Sequence, residues 1–199
     1  MAEGLPSSGL TGLALDRDGY LWIATRDGLA RYDGVGYRIW RHVPGDPGSL
    51  PGNSVQALYV DAQDRIWVAV ESAGLAVLDG RRETFRHIAQ ANRPILKSDD
   101  IWAIAGTPDG ALWFGSYGGG LYRMDARERI TRYLPDAARK DVLPAMDVTA
   151  LVVDPAGTLW IGTTDGLARR TATGFERVAR GALPDEQIYS LSAERDGSL

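Results

Sequence analysis

The sequence predicts an all-β chain: a β-propeller of four four-stranded antiparallel blades plus the first strand of a fifth, a partial ring. Three observations predict it. Gly supplies 24 of the 199 residues, well above a background of about 7%. Trp22, Trp67, Trp113 and Trp160 recur at spacings of 45, 46 and 47 residues, and a fixed period in the 40s signals stacked supersecondary units. Each repeat then divides into short β-rich runs joined by Gly and Asp turns, the pattern of an antiparallel meander.

The first repeat reads Asp16-Arg-Asp-Gly-Tyr-Leu-Trp22-Ile-Ala-Thr25, then Gly28-Leu-Ala-Arg-Tyr-Asp33. The second reads Asp61-Ala-Gln-Asp-Arg-Ile-Trp67-Val-Ala-Val70, then Gly74-Leu-Ala-Val-Leu-Asp79. The third has Pro108-Asp-Gly-Ala-Leu-Trp113-Phe-Gly-Ser116 and Gly120-Leu-Tyr-Arg-Met-Asp125; the fourth has Asp154-Pro-Ala-Gly-Thr-Leu-Trp160-Ile-Gly-Thr163 and Gly166-Leu-Ala-Arg-Arg170. Glu194-Arg-Asp-Gly-Ser-Leu199 starts a fifth copy. In each repeat an apolar inner strand, such as Val55–Val60 or Val148–Val153, precedes the Trp strand. A third strand starts at the turn Gly, and a fourth carries an aromatic at Trp40, Phe85, Tyr133 or Phe175. The blades fall at about 8–43, 53–90, 99–135 and 146–180, with the fifth beginning over 186–199. Two residues after each Trp stands Ala24, Ala69, Gly115 or Gly162. Residues i and i+2 share a strand face, so a large indole lies beside a small socket and neighbouring sheets can interdigitate.

Composition removes several function classes. Lys plus Arg is 22 and Asp plus Glu is 26, a formal net charge of −4. That balance does not suit a nucleic-acid backbone or an anionic membrane surface. No apolar run nears the roughly 18–20 residues of a membrane span, and the start does not read as a signal peptide. Cys is absent, which excludes disulfides, a thiol nucleophile and Cys-based zinc sites. The Asp-x-Asp-Gly turns have hairpin spacing and lack the distal Glu of a calcium loop. His42 and His87 each stand two residues after a blade aromatic and read as equivalent surface positions. No metal and no cofactor are expected. Gly118-Gly-Gly120 is no phosphate loop, because no Lys-Ser/Thr follows it.

The string from Asp16 to Asp33 resembles the two-component regulator propeller repeat, and so does Glu3-Gly4-Leu5-Pro6-Ser7-Ser8, which looks like the entry to a first blade. The resemblance covers nearly the whole chain. Two departures stand out: the second repeat lacks the turn Gly, with Arg65 in its place, and the fourth lacks the aromatic-Asp end of its third strand. The resemblance implies the extracytoplasmic, periplasmic sensor region of a bacterial membrane receptor. It places the β-sandwich, the membrane span and the output domain (a histidine kinase or a diguanylate cyclase) outside this chain, and it implies no catalysis here. Rings of the family usually have about seven blades, within the roughly 4–8 common to propellers. Three expectations follow: a piece of a longer receptor, a homodimer joined through exposed blade faces, or a compact four-bladed ring.

The loops after the second and fourth strands should open on one face. The blade-connecting loops are His42–Asn53, Gln90–Asp99, Pro135–Met146 and Ala179–Glu186, and loops on a rigid scaffold are where binding residues concentrate. The second-strand loops supply Arg26, Asp27, Glu71, Tyr117 and Asp165. The residues entering the inner strands are Gly9, Ser54, Asp100, Asp147 and Gln187, and symmetry makes Asp100 and Asp147 neighbours. These side chains either hold backbone groups at a strand start or meet a ligand. Tyr117, beside the Gly run, either packs on the next blade or stacks on a sugar or another flat ligand. The reading is a sensor module for a small molecule or oligosaccharide. The alternative is a protein-interaction or dimerisation scaffold. A third is a glycosidase or lyase with Asp100 and Asp147 as paired acids, about 5–9 Å apart with one pKa raised.

Overall fold

The computed structural model describes residues 4–139, 141–178 and 186–199. It shows sixteen β-strands in four sheets and, among the described residues, no helix. Blade 1 holds β1 (Leu10–Leu15), β2 (Leu21–Thr25), β3 (Gly28–Tyr32) and β4 (Tyr37–Trp40). Blade 2 holds β5 (Val55–Val60), β6 (Ile66–Val70), β7 (Gly74–Leu78) and β8 (Phe85–Ile88). Blade 3 holds β9 (Ile101–Gly106), β10 (Leu112–Ser116), β11 (Gly120–Met124) and β12 (Ile130–Tyr133). Blade 4 holds β13 (Val148–Val153), β14 (Leu159–Thr163), β15 (Gly166–Arg170) and β16 (Phe175–Arg177). Each sheet is a meander in chain order, the β-propeller blade. The chain divides into two compact units, Met1–Pro94 with Asp99–Ile101, and Ile95–Ser98 with Trp102–Leu199.

Each repeat is locked by the same local device. The indole N–H of Trp22, Trp67 and Trp160 donates to Oδ2 of the Asp six residues earlier: Asp16 at 2.8 Å, Asp61 at 2.8 Å and Asp154 at 2.9 Å. In blade 3 Thr107 Oγ1 replaces the carboxylate, at 3.0 Å from Trp113. The other carboxylate oxygen collects backbone N–H groups of the turn, Tyr20 at 2.9 Å and Thr158 at 2.8 Å among them. A buried indole thus satisfies its donor while the turn is fixed. Burial pushes the Asp61 carboxyl up, but hydrogen bonds from the Trp67 indole and from the backbone and guanidinium of Arg65 outweigh it, leaving the pKa below the usual range. Hydrogen bonds from Trp160 and from the Thr158 backbone lower that of Asp154. An acid with a lower pKa folded than unfolded stabilises the fold above its unfolded value, and this is lost as pH falls through the folded one. Melting temperature should therefore hold between about pH 7 and pH 5 and drop below about pH 4. Asp61→Asn should blunt that drop in a pH series of thermal melts.

The sockets work within each unit. The Trp face of blade 1, with Trp22, Ala24, Leu29 and Trp40, packs against Val68, Ala76, Leu78 and Phe85 of blade 2. Trp113, Leu121 and Tyr133 of blade 3 meet Ile161, Ala168 and Phe175 of blade 4 in the same way. What fills the socket is the first apolar residue of the next inner strand. A Cβ at Gly115 would collide with Val148, and one at Gly162 would lie 2.5 Å from Ile188 Cγ2. Residues 186–199 form no sheet of their own. They begin a fifth repeat along blade 4, with Ile188 N donating to Thr163 O at 3.0 Å and a turn closed by Glu194 N to Ser198 O at 2.8 Å.

Three readings of the repeat need correction. The left-handed place of the second Asp turn is taken by Asp64 at φ 62°, not by Arg65, in line with Gly19, Gly110 and Gly157 at φ 85°, 77° and 85°. The four outer aromatics are not equivalent. Trp40 pairs with Leu29 and Tyr133 with Leu121, whereas Phe85 pairs with Leu78 and Phe175 with Arg170. The two kinds stand at opposite ends of the fourth strand. Blades 1 and 3 stack an aromatic on their own Trp, Trp22–Trp40 at 5.0 Å and Trp113–Tyr133 at 5.5 Å; blades 2 and 4 send a Phe into that cluster from the facing sheet. His42 and His87 are consequently not equivalent either. His87 lies in β8 opposite Ala76, while His42 lies beyond β4. Their rings meet consecutive carbonyls of one loop, Leu50 O at 2.7 Å from His42 and Ser49 O at 2.8 Å from His87.

Candidate functional site

In blades 1, 2 and 4 the turn after the second strand and the entry to the same blade's inner strand lie side by side. Arg26 N donates to Gly9 O at 3.0 Å, Glu71 N to Ser54 O at 2.9 Å and Thr164 N to Asp147 O at 3.2 Å. The turn Gly reaches across to the following entry loop: Gly28 N donates to Asn53 O at 2.7 Å and Gly74 N to Asp99 O at 2.8 Å. The turn itself is held from inside by a buried hydroxyl, Thr25 Oγ1 to Gly28 O at 2.8 Å, Ser116 Oγ to Gly120 O at 3.1 Å and Thr163 Oγ1 to Gly166 O at 2.8 Å. Gly is required there. A Cβ at Gly120, where φ is 86°, would stand 2.5 Å from Tyr133 O.

In the first unit Arg26 is exposed and lies over Gly9, with Cδ 3.3 Å from where a Cβ would be. Asp27 pairs with Arg41 at 3.3 Å. Ser54 is half-buried and Glu71 exposed. Asp100 belongs to this unit and is half-buried, and Asp147 belongs to the second. In the second unit Asp147 Oδ1 accepts the Gly118 N–H at 2.7 Å, so its carboxylate holds the turn that carries Tyr117. Tyr117 is 53% exposed, and it stacks on Trp102 with centroids 6.1 Å apart. Gln187 is exposed. The loop Ala179–Glu186 lies, apart from Glu186, outside the described residues, as does Lys140.

Asp165 borders a cleft of about 780 Å³ between the loop at 135–144 and the outer edge of blade 4, where Asp136, Arg139, Thr173, Phe175 and Arg177 also line it. Its far wall is tied down by Phe175 N donating to Asp141 O at 3.1 Å. Arg177 lies between Asp165 at 3.2 Å and Glu186 at 3.5 Å, and its buried Nε has no hydrogen-bond partner. Arg139 pairs with Asp141 at 2.7 Å; that hydrogen bond lowers the pKa of Asp141 and raises that of Arg139. The cleft is thus a charged, loop-walled recess on a rigid sheet, suited to a polar ligand. Among the described residues no three His, Cys, Asp or Glu side chains are grouped to hold a metal ion. No helix among them is long and apolar enough to cross a membrane. Arg139, Arg177 and Trp102 were missed in the sequence. The signal for Trp102 was there: an aromatic at an inner-strand position that is Thr11, Gln56 and Thr149 in the other blades.

The family model of the two component regulator propeller matches the chain four times, over residues 4–27, 49–72, 95–118 and 142–165. The chain belongs to the two-component regulator propeller family. Each match runs from an entry loop through the Trp strand to the turn after it, and so spans the Asp–Trp lock or its Thr107 counterpart. A stretch of 48 residues is 40% identical to Histidine kinase P4 of Formosa agariphila, covering 24% of this chain and 4% of that protein. Among solved structures, the extracellular domain of a hybrid two component system of B. thetaiotaomicron aligns with TM-score 0.61 at 23% identity, over 85% of this chain and 29% of that one. The extracellular domain of a one component system of the same organism aligns with TM-score 0.72 at 20% identity, over 96% and 25%. At these identities the likeness concerns the fold. This propeller chain spans under a third of either extracellular domain and a small fraction of the kinase.

Proposed function

We propose that the chain is the extracytoplasmic ligand-sensing propeller of a bacterial signalling receptor, performs no catalysis itself, and passes occupancy to an output domain of the histidine kinase or diguanylate cyclase kind. The observation that carries this reading is the division of labour within each repeat. Trp, Asp and Gly build a rigid sheet, while the turns and entry loops on one face vary freely from blade to blade. Arg26, Asp27, Ser54, Glu71, Asp100, Tyr117, Asp147, Asp165 and Gln187 are the positions a small-molecule or oligosaccharide ligand would meet. Extracellular relatives of like fold and the similar stretch in a histidine kinase support the setting.

A second reading, a homodimer scaffold, is favoured by one observation. Leu13 and Leu15 of β1 are 61% and 65% exposed, whereas the matching Leu58 and Val60 of blade 2 pack against the core of the first unit. Exposed apolar sheet faces mark interaction surfaces. One experiment separates the two. Thermal melts against sugars, oligosaccharides and amino acids should show a rise with one class, reduced by Asp165→Ala. If no compound raises the melt, while light scattering shows dimers that Leu13→Glu dissociates, the scaffold reading replaces the sensor reading.

A further inference from the structure

Trp102 and Tyr117 break the repeat together, and nothing in the packing asks for either. In β1, β5 and β13 the register slips at the second residue, Thr11, Gln56 and Thr149, leaving a bulge. Bulges re-aim a side chain and cluster near functional sites. Two of these residues bond the next inner strand: Thr11 Oγ1 donates to Val55 O at 2.5 Å, and Thr149 Oγ1 to Ile188 O. Trp102 holds the same place in β9. Tyr117 holds the turn position filled elsewhere by Arg26, Glu71 and Thr164.

The two rings lie at an interplanar angle of 30°, 6.1 Å apart, and are 44% and 53% exposed. The turn beneath Tyr117 is rigid. Gly118 N is held by Asp147 at 2.7 Å, and Gly119 O accepts Arg132 Nε at 2.7 Å. A Cβ at Gly119 would fall 2.7 Å from the Tyr122 hydroxyl. Of the six indoles, Trp22, Trp67, Trp113 and Trp160 donate to their Asp or Thr, and Trp40 donates to Arg82 O. Among the described residues the Trp102 N–H and the Tyr117 hydroxyl have no bond of this kind, which leaves both to face a ligand.

We propose that Trp102 and Tyr117 form a preorganised stacking platform for a pyranose ring of a neutral saccharide. The apolar C–H face of such a ring matches the exposed ring faces, and its hydroxyl rim matches the indole N–H and the phenol. The Asp147 carboxylate that holds Gly118 N places negative charge at the turn, so a neutral sugar fits better than an acidic one. This inference rests on the ligand-sensing reading and names its ligand class.

The test is calorimetric titration of the 199-residue chain with neutral gluco-, xylo- and manno-oligosaccharides, with indole N–H resonances followed by NMR. The Trp102 signal, assigned by its loss in Trp102→Phe, should shift on saturation while the five bonded indoles stay put. Trp102→Ala and Tyr117→Ala should each weaken binding at least tenfold, with melting temperature unchanged because neither ring lies in the core; Tyr117→Phe should weaken it less. Saccharide binding that survives the double Ala variant overturns the platform and leaves the sensor reading standing. Binding of free aromatic compounds alone overturns the saccharide class only. If nothing of any class binds, both fail.

Discussion

Trp22→Ala should destabilise the protein by about 3–5 kcal/mol, the range for removing a large buried aromatic. Trp22 is fully buried. Its loss removes the stack on Trp40 at 5.0 Å and opens a void against the core of blade 2. It also strips Asp16, itself only 8% exposed, of the indole donor at 2.8 Å, and a buried carboxylate left short of a partner adds its own desolvation cost. Trp22→Phe keeps a six-membered ring but loses the pyrrole ring with its donor, so it should cost less, about 2–3 kcal/mol. Urea unfolding with an unchanged slope measures both. A loss below about 1 kcal/mol for Trp22→Ala would show that the indoles are not what holds the blades together.

Gly115→Ala should cost about 3 kcal/mol, the upper end for adding a methyl to a filled interior. The added Cβ meets Val148 at its Cγ1, lies 2.7 Å from its Cβ and 3.2 Å from its carbonyl oxygen. A β-branched residue at the start of a strand cannot rotate away. The equivalent positions in blades 1 and 2 already carry Ala24 and Ala69, so the demand for Gly comes from the neighbour and not from the strand. Val148→Ala in the same chain should recover part of the loss, as an interaction energy of about 0.5–3 kcal/mol between contacting sites. Additive losses in that double variant would place the strain elsewhere.

The legibility of the candidate site divides along the same line. Arg26, Glu71 and Tyr117 follow from counting along the repeat, because the turn after the Trp strand comes at a fixed offset. Trp102 is marked only by comparison between repeats, as an aromatic where the other inner strands carry Thr11, Gln56 and Thr149; that it is exposed and stacks on Tyr117 is visible only in the structure. Arg139 and Arg177 line a cleft whose walls come from a connecting loop and from an outer strand, and no spacing rule links those two.

By itself the sequence determined the period, the four-stranded blade, the Trp core and the Gly turns. These are local: they need only alternation, turn chemistry and an Asp six residues before a Trp. Only the tertiary structure decided which residues meet. Trp40 and Phe85 look alike by distance from their turns, yet one pairs with Leu29 and the other with Leu78. Strand register is set by the ladder and by the face that must be buried, and a small shift exchanges partners. Two His on adjacent carbonyls of one loop have the same origin, whereas Asp64, like Gly19, stands three residues before its Trp and is set locally. A repeat specifies its own strand and turn, whereas the neighbour that a side chain touches is chosen by how two sheets pack.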